Sequence, residues 1–212
     1  MKTLSFGDAR AFAAWLANHY GSCDGLWLKL PKKGAGVPSV SYAEAVEAAL
    51  AWGWIDGQKQ RLDDQFWLQK FCPRGARSLW SKINRDKANA LIAAKKMMPP
   101  GMLEVERAKR DGRWDAAYDS PKSSTVPADL RAALDGNKRA AAAFAKIDGS
   151  NRYAILWRVQ TAKKPETRAR RIGELVAMLA RGELLHPERA KTTNGAKKTN
   201  GAKKAKAATR SR

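Results

Sequence analysis

Residues 41–65 constrain the fold more tightly than any other stretch. Ser41 and Glu44 form the capping-box pattern S-x-x-E, with Val40 and Ala45 placed as a hydrophobic staple, so a helix starts at this point. Tyr42, Ala45, Val46, Ala49 and Leu50 then fall on one helical face. Gly53 stands where that helix must end, because glycine takes the left-handed C′ conformation without steric cost. Immediately beyond it, WIDGQKQR and FWLQKF flank the four-residue polar connection LDDQ, a pattern compatible with a β-hairpin. Apolar groups lie on both faces near the hairpin ends, so part of it is expected to be covered on both sides. A helix leading directly into a hairpin predicts an α+β fold with a small antiparallel sheet packed with helices.

Other segments join this unit. Ser5 is a candidate cap for a first helix, with Asp8 at its third position and Phe12, Trp15 and Leu16 on its inner face. Leu26, Leu28 and Leu30 alternate with Trp27 and Lys29 in a short strand ending at Pro31. Asn84 is read as the cap of a helix bearing Ala88, Leu91 and Ile92 and stopped by Pro99, Pro100 and Gly101; a short helix around Leu103 and Ala108 follows. Fourteen of the 17 aromatic residues precede position 119, and the turn-forming segment SPKSSTVP covers 120–127. Beyond it the chain reads as helices throughout, with Ile172, Leu175, Val176 and Leu179 in helical register, Pro165 as a start and Gly182 as a stop. The expected organisation is an aromatic-rich α+β domain (1–119), a linker (120–126), a three- or four-helix unit (127–187) and a Lys/Ala-rich tail (188–212). The tail repeats TNGAKK at 193–198 and 199–204 and is expected to be disordered, since its composition cannot offset the entropy of ordering.

The formal charge is +21, and residues 189–212 hold nine Lys or Arg and no acid, which leaves +12 on the rest. A field of that sign favours nucleic acid, anionic surfaces or acidic partners. No apolar run approaches the roughly 18 residues of a membrane span, and the N-terminus breaks its apolar character at Gly7, Asp8 and Arg10, so a cytoplasmic protein is expected. In that compartment Cys23 and Cys72 are read as reduced thiols.

No P-loop, GxGxxG, HExxH, GxSxG or EF-hand pattern occurs, and two Cys with two His make a poor set for structural zinc; no metal or cofactor is predicted. His19 is read as interacting with helix carbonyls. Asp56, between Ile55 and Gly57, is the one carboxylate with a candidate ligand role; it is weighed against an ion pair with Lys59, Arg61 or Arg74. The stretch FCPRGARSLWSKIN gathers Arg74, Arg77, Lys82 and Arg85 around Trp80 and the helix start at Asn84, where an anion would be favoured. The candidate anion site therefore comprises Trp54, Asp56, Lys59, Arg61, Arg74, Arg77, Trp80 and Asn84. A nucleic-acid contact is expected through Lys191, Lys197, Lys198, Lys203, Lys204, Lys206, Arg210 and Arg212. Arg168, Arg170 and Arg171 crowd a helix start, which is unfavourable for cations and points to an anionic partner or the other domain.

Trp27-Leu28 with Lys32-Lys33, SYAEA at 41–45, GWIDG at 53–57, FCPR at 71–74, Ser78 with WSKIN at 80–84, and AKKPETRARRI at 162–172 together resemble the bacterial YdeI/OmpD-associated, or bacteriocin-protection, family over about residues 5–185. Cys72 stands where the pattern has threonine, and the lysine tail lies outside it. The resemblance implies a stress or envelope-protection protein acting by binding, with an unidentified protein or anionic ligand as partner. It carries no reaction, cofactor or catalytic residue to this chain. Nucleic-acid association through the tail is the alternative, and an enzyme on a small anionic substrate the third.

Overall fold

A computed structural model describes residues 1–187. The tail, with its expected disorder and its basic residues, lies outside the described residues. Strand β1 (Lys2–Leu4) leads to helix α1 (Ala9–His19), strand β2 (Leu26–Pro31) and helix α2 (Tyr42–Ala51). Strands β3 (Trp54–Arg61) and β4 (Phe66–Pro73) form the hairpin, followed by helices α3 (Lys82–Ala93) and α4 (Pro99–Arg110). The second half contains α5 (Ala128–Asp135), α6 (Lys138–Lys146), α7 (Gly149–Gln160) and α8 (Pro165–Ala180).

The fold is α+β, as the sequence predicts. The sheet order is β1-β2-β4-β3, with β2 antiparallel to β4 and β4 antiparallel to β3. β1 adds a parallel edge to this antiparallel set, in register from Lys2↔Leu26 to Leu4↔Leu28. Three residues are too few to display alternation, and the sequence carries no signal for it. In β2, Leu26, Leu28 and Leu30 point into the core, as their alternation requires. The β3–β4 register slips between Asp56 and Lys59, a bulge at Gly57. The buried Gln69 fills it, donating from Nε2 to the Gly57 carbonyl (2.9 Å) and the Gln58 carbonyl (3.3 Å).

Two helix starts differ from expectation. α1 is capped by Asp8, whose carboxylate accepts from the Ala11 amide at 2.7 Å; Ser5 lies three residues upstream of it. α3 is capped by Ser81, and Asn84 sits at the third helical position with its amide donating to Ser81 Oγ at 3.1 Å. Pro99 and Pro100 open α4 in the first-turn positions where a missing N–H costs nothing.

The first core joins Phe12 and Leu16 of α1, the β2 leucines, Ala45, Val46, Ala49 and Leu50 of α2, Trp54, Phe71, Trp80 and Trp114. The second joins Leu130, Leu134, Phe144, Ile155, Leu156, Val159, Ile172, Leu175, Val176 and Leu179 of the four C-terminal helices. Asp119 links the halves: it pairs with Lys82 (2.7 Å) and exchanges hydrogen bonds with the Gln160 side chain, while its carbonyl accepts from the Tyr153 hydroxyl (2.9 Å). Arg168 makes a bidentate pair with Asp129 (2.6 and 2.9 Å), Arg171 donates to the Arg158 carbonyl and Arg170 pairs with Glu174, so all three arginines at the start of α8 have partners inside the helical unit. The buried Asn151 clamps the backbone of His186, donating to its carbonyl (3.3 Å) and accepting from its amide (3.0 Å). No helix among the described residues is long and apolar enough to cross a membrane.

α2 ends as predicted at Gly53, whose φ of 75° lies in the left-handed region. α4 then packs its first turn against the end of α2: a Cβ on Gly101 would lie 2.3 Å from the Ala51 carbonyl and 2.8 Å from that of Leu50. Backbone on both sides leaves nothing free to move. Gly101→Ala is therefore expected to lower the free energy of unfolding by about 2 kcal/mol or more in chemical denaturation, although alanine is the better helix former.

Candidate functional site

The strands and the loop after them decide where each predicted residue points. Trp54 begins β3 on the core face; it is 1% exposed, donates its indole N–H to the Tyr20 carbonyl (3.1 Å) and meets Trp15 edge-on. It is a packing residue, and no ligand reaches it in this conformation. Asp56 lies two residues on, half-buried, and accepts a 2.7 Å hydrogen bond from the Tyr42 hydroxyl. That contact joins the start of α2 to β3. Burial and the bond to Asp56 together push the Tyr42 phenol well above its ordinary value.

The expected ion pairs of Asp56 do not form. Lys59 lies over the Trp67 ring at 4.9 Å, and Arg61 pairs with Asp64 at 2.6 Å on the exposed hairpin end. Arg77 is exposed in the turn that follows β4. At the α3 start the Asn84 N–H is taken by Ser81 and the Lys82 N–H by the Tyr118 carbonyl (2.9 Å).

Arg74 is different. Its amide donates to the Gly53 carbonyl (3.0 Å), its side chain turns inward, and only 5% of the residue is exposed. The guanidinium lies 3.6 Å above the Trp80 ring, and Nη1 donates to the Leu79 carbonyl at 3.3 Å. Nε and Nη2 are buried with no acceptor, as is the indole N–H of Trp80. Asp56 and Glu104 act on Arg74 electrostatically, but neither comes within the 4.0 Å of an ion pair. Glu104 pairs with Arg107, which also donates to the Arg74 carbonyl. Burial pushes the Arg74 guanidinium down to about 10, against the pull of Glu104 and Asp56, so it keeps its charge at neutral pH. The other buried arginine, Arg113, has what Arg74 lacks, a carboxylate partner in Asp111 (2.7 Å), and also donates to the Ser78 carbonyl (2.7 Å). Tyr118 completes the group; burial and Asp56 raise its phenol.

Of the predicted site, the fold thus places Asp56, Arg74 and Trp80 in one polar cluster and adds Tyr42, Tyr118, Glu104 and Arg107 to it. The additions come from α2, α4 and the segment at Tyr118, and have no shared local motif. Cys23 and Cys72 are free, and burial raises the Cys72 thiol.

Comparison with known families divides the chain at nearly the same place as its two cores. Residues 123–182, which span α5–α8, match the family described as Bacteriocin-protection, YdeI or OmpD-Associated. The helical half is thus a YdeI/OmpD-associated domain. Residues 4–104 match a domain of unknown function, DUF8412, which contains Tyr42, Asp56, Arg74, Trp80 and Glu104. GWIDG, FCPR and WSKIN therefore fall in the DUF8412 match, and AKKPETRARRI in the YdeI/OmpD-associated one. No curated protein and no solved structure matches the chain.

A buried charge without a counter-ion costs more than an apolar residue of similar volume. Arg74→Met, which keeps the length and the contact with Trp80, is therefore expected to raise the free energy of unfolding by about 1 kcal/mol or more in denaturant titrations. A marked loss of stability would assign Arg74 to the scaffold instead.

Proposed function

We propose that this YdeI/OmpD-associated protein is a non-enzymatic binding protein of the bacterial cytoplasm that serves envelope or bacteriocin protection, and that its ligand carries an anionic group received by Arg74. One observation carries the reading: a charged guanidinium is buried against Trp80 with two N–H groups lacking acceptors. A carboxylate or phosphate is an acceptor-only group that suits such a fork, and charge-assisted bonds of this kind are the strong ones. The Asp56 oxygen not held by Tyr42 is the acceptor for a donor on the same ligand.

The same side chains argue against chemistry. Asp56 is occupied by Tyr42, Arg74 keeps its proton at neutral pH, and the Cys72 thiol is shifted away from its nucleophilic form. Cells carrying Arg74→Met or Asp56→Asn, with the circular dichroism of the protein unchanged, are expected to lose most of their protection against a membrane-active peptide. Unaltered protection by both variants would remove the site.

A second reading rests on the charge of the tail. Nine basic residues without an acid in 189–212, among them Lys191, Lys197, Lys198, Lys203, Lys204, Lys206, Arg210 and Arg212, support association with nucleic acid. If about six phosphates are neutralised on duplex DNA, log K is expected to fall against log salt with a slope of about −5. A slope near zero in a salt titration would dismiss it.

A further inference from the structure

Trp157 is the one exposed tryptophan of the eight in the chain, at 37%, although it sits in the middle of α7 among core residues. Two cavities open beside it and share Trp157 and Arg158, together making a groove along α7. On one side a cavity of about 700 Å³ is lined by Trp157, Tyr118, Tyr153, the α7 start, Arg158 and His186. On the other, a cavity of about 400 Å³ is lined by Trp157, Arg158, Arg170, Arg171 and Leu185. Tyr153 and Trp157 are one helical turn apart on the same face, and Tyr118 meets Trp157 edge-on at 6.2 Å. Arg158 and Arg171 have no carboxylate partner among the described residues; Glu174, the one acid lining either cavity, is paired with Arg170.

The Asn151 clamp holds His186, which lines the first cavity, against the α7 start. The nine basic residues of 189–212 follow in the sequence. A cationic tail does not fill a cationic groove. Both would act on one anionic partner that also has flat apolar faces.

We infer that this groove is a single-stranded nucleic-acid binding surface, with bases stacking on Trp157 and Tyr153 and phosphates meeting Arg158 and Arg171. Unpaired bases offer the π-faces that a duplex hides, and stacking on an exposed aromatic is tolerant of sequence. This rests on the tail reading above and deepens it: the tail supplies salt-dependent attraction, and the groove supplies the preference for single strands.

The test uses a labelled oligothymidylate of about 20 nucleotides, enough to span the roughly 4–16 nucleotides that one such surface covers. Its duplex form and poly-glutamate serve as competitors, and anisotropy is read at several salt concentrations. The full chain is expected to bind the single strand about tenfold more tightly than the duplex. Trp157→Ala should abolish that preference while leaving the salt slope, and Trp157→Phe should restore most of it. Arg158→Glu, an exposed change, should weaken binding several-fold. A chain ending at Pro187, which retains both cores, should lose most of the salt slope but keep the preference. Equal affinity of Trp157→Ala, Arg158→Glu and the parent chain, with loss only on removing the tail, would overturn the groove and leave the tail reading intact. No binding by the full chain would overturn both, and displacement by poly-glutamate at lower concentration than by free oligonucleotide would assign the groove to an acidic protein.

Discussion

Four segments of the first half converge on the Gly53 corner. The left-handed turn there stops α2 and starts β3 within one residue, and the Gly53 carbonyl then receives the Arg74 amide at the far end of the hairpin. The α2 carbonyl of Ala51 receives the Met98 amide, which brings α4 to the same corner. Because the backbone occupies this junction so fully, the Arg74 side chain leaves it in one direction only, toward Trp80. The polar cluster is thus a by-product of how a helix, a hairpin and a second helix share one glycine. Its precision comes from main-chain hydrogen bonds rather than from the side chains that form it.

The arginines show how a basic chain can still be particular about charge. Arg61, Arg113, Arg168 and Arg181 each hold a carboxylate, and Arg171 and Arg107 reach backbone carbonyls. These are structural uses, and most are exposed pairs that contribute little individually. Arg74 has been taken out of water with a single long hydrogen bond and an aromatic face in return. The contrast with Arg113, a few residues' reach away on the Ser78 carbonyl, is what singles it out.

Much of the architecture was legible because its signals are local. The Ser41–Glu44 box, the Gly53 stop, the β2 alternation and the hairpin spacing each describe a few neighbouring residues and need no knowledge of the rest. The failures have a common cause. Ser81 and Asn84 are both good caps, and the choice was made from outside by the pairing of Ser81 with Tyr118. Pro99 and Pro100 punctuate a sequence whether they close one helix or open the next, and the gap before them belongs to the opening. Trp54 and Trp80 look alike as candidate contacts, yet both are core, since a tryptophan flanked by glycine or serine gives no hint of which face the sheet will cover. Tyr42, Tyr118 and Arg107 reach Asp56 and Arg74 only through folding, and no spacing rule connects them.

The bulge at Gly57 has a consequence for behaviour in solution. β3 is an outer strand of the sheet, eight residues long, and such a strand offers unpaired amides and carbonyls to any other extended chain. The slipped register twists it out of the flat form needed for pairing, Gln69 occupies carbonyls that would otherwise look for donors, and Lys59 and Arg61 add repulsion between like copies. The other outer strand, β1, is only three residues long. A sheet so finished at both ends resists growing by the addition of further chains.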